Sequence, residues 1–130
     1  MKVVFDTNIF VSALAIPGGR AEKAVLRIIE GHDQLFISKD ILDELLSVLA
    51  RKFSRDMEEL SRAAFNISEM AEMIKVGKRL KVFRDDPDNR VLECAVAGGA
   101  DLIVTGDKEM LSLKKYQDVT IISLKHYLNS

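Results

Sequence analysis

Ala100-Asp101-Leu102-Ile103-Val104-Thr105-Gly106-Asp107 carries the reading of the fold. Its three central residues are continuously apolar, which suits a strand covered on both faces. Gly98-Gly99 stands before it, a pair well suited to end a preceding helix. Asp107 follows it after a two-residue turn, where an acid is well placed to open a short helix. Working outward, the same alternation recurs. Apolar runs stand at Val3-Val4-Phe5, Leu35-Phe36-Ile37, the weaker Leu80-Lys81-Val82-Phe83, and Val119-Thr120-Ile121-Ile122.

Longer amphipathic stretches separate the runs. Ala21, Ala24, Val25, Ile28 and Ile29 recur at helical spacing before Gly31. Ser38 precedes a helix expected to reach about Phe53, with Leu42, Leu45, Leu46, Leu49 and Phe53 as its stripe. Asp56-Met57-Glu58-Glu59 resembles a capping box. It opens a helix with Met57, Leu60, Ala64, Ile67, Met70, Ala71 and Ile74 on one side. Asp86-Pro87 reads as an N-cap with proline at the first helical position, and Ser123 as the cap of a last helix. Pro17-Gly18-Gly19-Arg20 reads as a turn between helices. Short strands alternating with helices argue for an α/β fold built on a parallel sheet.

The 130 residues, 48 % of them apolar, fit one domain over residues 1–130 with a sizeable core. Net charge is −1, so nucleic-acid binding has to come from local patches or bound cations rather than from overall charge. The single cysteine, Cys94, excludes an intrachain disulfide. With no membrane-length apolar stretch and no signal-like hydrophobic region, the expectation is a soluble cytoplasmic protein.

Acids gather at one kind of place. Asp6 follows the first run directly, and Asp107 follows the fourth. Asp85, Asp86 and Asp88 follow the third, and Glu44 lies on the helix after the second. Open parallel sheets bind ligands beyond the carboxyl ends of their strands. Any one acid there is ordinarily a helix cap or simply solvated. Four junctions together ask for more, because such a cluster repels itself unless protons or cations neutralise it. Oxygen ligands without histidine or cysteine favour Mg²⁺ or Mn²⁺, ions suited to phosphate chemistry. On the helical wheel Glu44 and Asp43 border opposite edges of the apolar face, and periodicity does not choose between them. Nor does it choose among Asp85, Asp86 and Asp88.

Four segments resemble, in order, the successive motifs of PIN domains. They are Asp6-Thr7-Asn8, Ser38-x-x-Ile-Leu-x-Glu44-Leu, Asp85-x-x-Asp88-Asn89-x-x-Leu92-Glu93-x-Ala95, and Ala100-Asp101-x-Ile103-Val104-Thr105-Gly106-Asp107. The likeness is nearest to stand-alone, VapC-like PIN proteins, toxins of toxin–antitoxin pairs, and covers essentially the whole chain. It implies a three-layer α/β/α sandwich with a five-stranded parallel sheet. It also implies an acidic pocket holding Mg²⁺ or Mn²⁺, and hydrolysis of RNA phosphodiesters. Carried over by position, the four acids fall on Asp6, Glu44, Asp88 and Asp107, as catalytic residues and metal ligands. Thr7, Asn8, Asn89 and Thr105 fall on supporting polar positions. Pro87 directly precedes Asp88, where relatives often read Asp-Pro-x-Asp-Asn. A homodimer and an antitoxin protein are the expected partners, besides RNA.

Other readings compete. A haloacid-dehalogenase-type phosphatase wants a second aspartate two residues after the first, and Asn8 stands there. A receiver domain wants paired acids near the first strand and a lysine after the fifth, and neither is evident. A PIN module that binds RNA or protein without turnover, or an RNA-processing nuclease unrelated to toxicity, would keep the same acids. His32 and His126 lack metal-ligand spacing and read as surface residues. Cys94 reads as a buried small hydrophobe, and the methionines, Met57, Met70 and Met73 among them, as core or interface positions. Lys75, Lys78, Arg79, Lys81 and Arg84 form the densest basic stretch, a solvated face by default and a candidate phosphate track.

Overall fold

The computed structural model describes residues 1–52 and 56–130. Strand β1 (Lys2–Phe5) leads into α1 (Thr7–Ala15) and α2 (Arg20–Ile29). Next come β2 (Gln34–Ser38), α3 (Lys39–Lys52) and α4 (Met57–Met70). Strand β3 (Ala71–Ile74), α5 (Asp86–Gly98), β4 (Leu102–Val104) and α6 (Lys108–Leu113) follow. The last elements are β5 (Lys115–Tyr116), β6 (Val119–Ile122) and α7 (Leu124–Leu128). Phe53, the expected end of the third helix, lies outside the described residues.

The sheet runs β3-β2-β1-β4-β6-β5. All pairings are parallel except that of the two-residue β5 with β6. Val3, Val4 and Phe5 are all buried although successive strand residues face opposite ways. Both faces of the sheet are therefore covered, which gives three layers. Helix α5 packs across β1 to β4, and α3 packs against both α1 and α5.

Five parallel strands are present among the described residues, but the third is not the expected one. Residues 80–83 form no strand, and the place beside β2 is taken by Ala71–Ile74, in register from Leu35↔Ala71 to Ser38↔Ile74. The spacing of Ala71 and Ile74 from Ile67 and Met70 is also helical, which is why the sequence pattern places them at the end of the preceding helix. The chain instead turns extended at Ala71 (φ −115°, ψ 152°), where pairing with β2 satisfies its backbone. Residues 80–83 lack a strand partner because α5 supplies one from its side chains. Glu93 Oε2 accepts from Leu80 N at 2.7 Å. Asn89 Oδ1 accepts from Val82 N at 3.0 Å and Phe83 N at 2.8 Å.

The expected caps form. Asp56 accepts from Glu58 N, Asp107 from Met110 N and Ser123 from His126 N. Helix α5 starts one residue early, with Asp85 at its N-cap, and ends at Gly99, whose φ of 67° is left-handed. Cys94 is buried, and His32 and His126 are exposed. Met57 and Met73 are exposed rather than core, whereas Met110 is fully buried.

Candidate active site

The parallel register builds the centre of the site. Phe5 pairs with Val104, so the next residues, Asp6 and Thr105, leave their strands side by side. Asp6 N donates to Val104 O at 3.0 Å. The Thr105 hydroxyl donates to Asp6 Oδ2 at 2.7 Å and accepts from Asp107 N at 3.0 Å. One buried threonine thus fixes both the first and the fourth acid. Asp6 also caps α1, its Oδ1 accepting from Asn8 N at 3.3 Å, while Asp107 Oδ1 accepts from Met110 N at 2.9 Å. Both acids therefore act as helix caps where the two strands end side by side.

Asp88 enters from the first turn of α5. It is 7 % exposed, and among the described residues no hydrogen bond reaches its carboxylate. Burial, then the charges of Asp107, Asp6, Asp85 and Glu109, push its pKa up to about 7. Burial also raises Asp6, against the Thr105 and Asn8 hydrogen bonds that lower it, and Asp107 and Asp85 add to the rise. Asp107 and Asp6 therefore both act on Asp88, and Asp107 acts on Asp6.

Glu44 is placed less decisively. It is half-buried on α3 and makes no hydrogen bond or ion pair among the described residues. Asp43 is exposed and pairs with Lys39 at 2.8 Å, facing solvent. Among the described residues no three histidine, cysteine or carboxylate side chains converge closely enough to hold a metal ion as they stand.

The supporting positions divide. Thr105 touches Asp6, and Thr7 is buried at the start of α1, whereas Asn8 is exposed. Asn89 is fully buried and faces the chain before α5. Besides accepting from Val82 and Phe83, it donates to Phe83 O at 2.9 Å and Asp86 Oδ1 at 3.4 Å. It braces the segment that leads into α5, whose N-cap is Asp85 and whose first turn carries Asp88. Two acids gain a part that spacing alone did not give them. Asp85 and Glu109 both act on Asp88, and Glu109 also accepts from Arg84 N at 3.2 Å. The one available signal for Glu109 was its place in the first turn of the helix that Asp107 caps.

The family model of the PIN domain matches residues 2–109. An uncharacterized protein of Methanocaldococcus jannaschii is 33 % identical over 132 residues, covering 96 % of this chain and 84 % of its own length. Two solved structures share the fold at low identity. VapBC2 from Rickettsia felis, bound to a DNA fragment from their promoter, superposes with a TM-score of 0.67 at 16 % identity, covering 95 % of this chain and 98 % of that one. VapBC-1 from nontypeable Haemophilus influenzae gives a TM-score of 0.67 at 14 % identity, with 96 % and 99 % covered.

Proposed function

The chain belongs to the PIN-domain family, and from that premise we propose that it is a Mg²⁺- or Mn²⁺-dependent endoribonuclease whose site is formed by Asp6, Glu44, Asp88 and Asp107. Proteins of this family are generally nucleases, and PIN nucleases generally work with divalent metals. The observation that carries the reading is Asp88, a buried carboxyl without a hydrogen bond, raised to about 7 by burial and neighbouring acids. A crowd of acids in that state is relieved by a divalent cation. The donor set is all oxygen, which fits Mg²⁺ or Mn²⁺.

Asp6, Asp88 and Asp107 would hold the ion, with Glu44 completing the set from α3. When bound, such an ion polarises a phosphoryl oxygen and lowers the pKa of water. The chain's own residues do the positioning. Thr105 ties Asp6 to the backbone of Asp107, and Asn89 braces the segment that leads into α5, whose first turn carries Asp88. The low exposure of Asp6 and Asp88 strengthens the repulsion between their charges. To share one ion, the carboxylates would have to stand closer together than they do here.

The same reading makes the protein the toxin of a toxin–antitoxin pair in the cytoplasm, a homodimer that an antitoxin protein holds in check. Its support is the ordered motif set and the VapBC fold relatives. An apolar groove of about 320 Å³ between α1, α2 and α4, lined by Phe10, Leu14, Val25, Ile29, Ile67 and Met70, offers a seat for the apolar side of a partner helix. Leu14 and Ile29 are more than half exposed there. No helix of the described residues is long and apolar enough to cross a membrane.

The test is cleavage of single-stranded and looped RNA by purified protein with Mg²⁺ or Mn²⁺, with and without chelator. Cleavage should need the metal and vanish in Asp6→Asn with the fold intact. Full metal-dependent cleavage by a contaminant-free Asp6→Asn sample sinks the site model.

A further inference from the structure

Asn89 and Glu93 stand four residues apart on α5, hence on one face, and neither reaches solvent. Asn89 braces the loop before Asp88. Glu93 reaches further. Its Oε2 accepts from Leu80 N at 2.7 Å, and its Oε1 from an Arg79 terminal nitrogen at 2.9 Å. The same Arg79 nitrogen donates to Asp40 Oδ2 at 3.0 Å. Asp40 lies in the first turn of α3, one helical turn before Glu44 and on the same face. A single guanidinium therefore ties the helix carrying Asp88 to the helix carrying Glu44. Along α5 the tie sits about 7.5 Å from Asp88, five residues at 1.5 Å each.

Packing alone does not call for this arrangement. Glu93 is buried, but the Arg79 side chain is 59 % exposed, so solvent screens the bridge and it adds little stability as an ion pair; what it supplies is a directed link between two helices. Arg90, whose Nε lies 3.4 Å from the same Glu93 oxygen, finds no hydrogen-bond partner there. Arg79 is the residue that makes the directed bonds. It is also the one base of the 75–84 stretch that bridges two helices, whereas Lys81 pairs only with Asp86.

We infer that Arg79 and Glu93 are positioning residues that set the spacing of α3 and α5, and through it the affinity of the acidic site for a divalent cation. The inference rests on the site proposed above. The acids do not converge into a ligand shell as they stand, so the separation of their two helices decides how far the carboxylates must travel to meet an ion.

The test titrates purified full chain with Mn²⁺ alone, reading free Mn²⁺ by electron paramagnetic resonance. Arg79→Ala and the isosteric Glu93→Gln should each weaken Mn²⁺ binding roughly tenfold, the lower end for residues that orient metal ligands. Arg79→Lys, which keeps a cation between the two carboxylates, should recover most of the affinity. Asp33→Asn is the control for stability alone. Asp33 holds Tyr127, Arg27 and the N-terminal amine at the opposite end of the sheet. Its loss should lower the melting temperature and leave Mn²⁺ affinity unchanged. If Arg79→Ala fails to fold, Glu93→Gln and Arg79→Lys carry the comparison. Mn²⁺ binding that disappears in Asp88→Asn but is unchanged in Arg79→Ala and Glu93→Gln overturns this inference alone. Binding that survives in Asp88→Asn, or is absent from the wild type, overturns the site reading and this inference with it.

Discussion

Replacing Asp88 by asparagine should stabilise the metal-free protein, and by an amount that depends on pH. The carboxyl titrates near 7 when folded, against an ordinary value of 3.8. The folded state therefore binds more protons than the unfolded state between these values, and stability falls as pH rises through that window. The loss begins near pH 4 and is complete above about 7. Three pKa units at about 1.4 kcal/mol each set a ceiling of about 4 kcal/mol. Relaxation and water entry reduce this, and we expect about 1–2 kcal/mol at pH 8. At pH 4.5 only about a quarter of the penalty has accrued. For a domain of this size the gain at pH 8 reads as roughly 4–8 °C in melting temperature. The assay is thermal unfolding of both proteins in chelator at pH 4.5 and pH 8, comparing the difference between them at each pH. Saturating Mn²⁺ should reverse the order at pH 8, because it stabilises only the protein that binds it. An equal gain at both pH values, or a less stable Asp88→Asn, would refute the crowding argument.

Three further outcomes follow from the geometry. Glu44→Gln should abolish metal-dependent RNA cleavage while Asp43→Asn, which breaks only an exposed pair with Lys39, leaves it nearly unchanged; the reverse pattern would move the helix acid to Asp43. Gly98→Ala should destabilise by about 1–3 kcal/mol in denaturant titration, since its new Cβ would stand 2.8 Å from the buried Phe36 ring and 3.2 Å from Ile74. Light scattering at tens of micromolar, a concentration chosen around ordinary association constants, should return a homodimer, and a strict monomer would count against the partner model.

Four of the five parallel strands were legible because their apolar runs are continuous and their ends are marked by Asp6, Ser38, Thr105 and Ser123. The remaining strand was not. Ala71–Ile74 carries the same spacing as the helix before it, and what decides its conformation is a partner far away in sequence, β2. Residues 80–83 look like a strand by composition, but the N–H groups of Leu80, Val82 and Phe83 donate to side-chain acceptors on α5. Periodicity registers the apolar pattern and not the identity of the acceptor. The acids were legible at their strand ends, yet their mutual influence was not. That depends on the Phe5↔Val104 register and on the burial of Asp88, both products of tertiary packing. Glu109 escaped notice because a glutamate in a first helical turn is commonplace.

The bond from Thr105 to Asp6 spans 99 positions of sequence. β1 is the first strand made, but it occupies the middle of the sheet and has only β2 beside it until β4 is synthesised. Until then Asp6 has neither the hydroxyl that fixes it nor Asp107 nearby, and one edge of Val3-Val4-Phe5 is open. A growing chain therefore carries no assembled acidic centre until residues 102–107 have followed Lys2–Phe5 out of the ribosome. Assembly is timed by topology. A translation product interrupted before Leu102 would keep an open edge on β1 and, on the function proposed above, would lack the centre needed to cleave RNA.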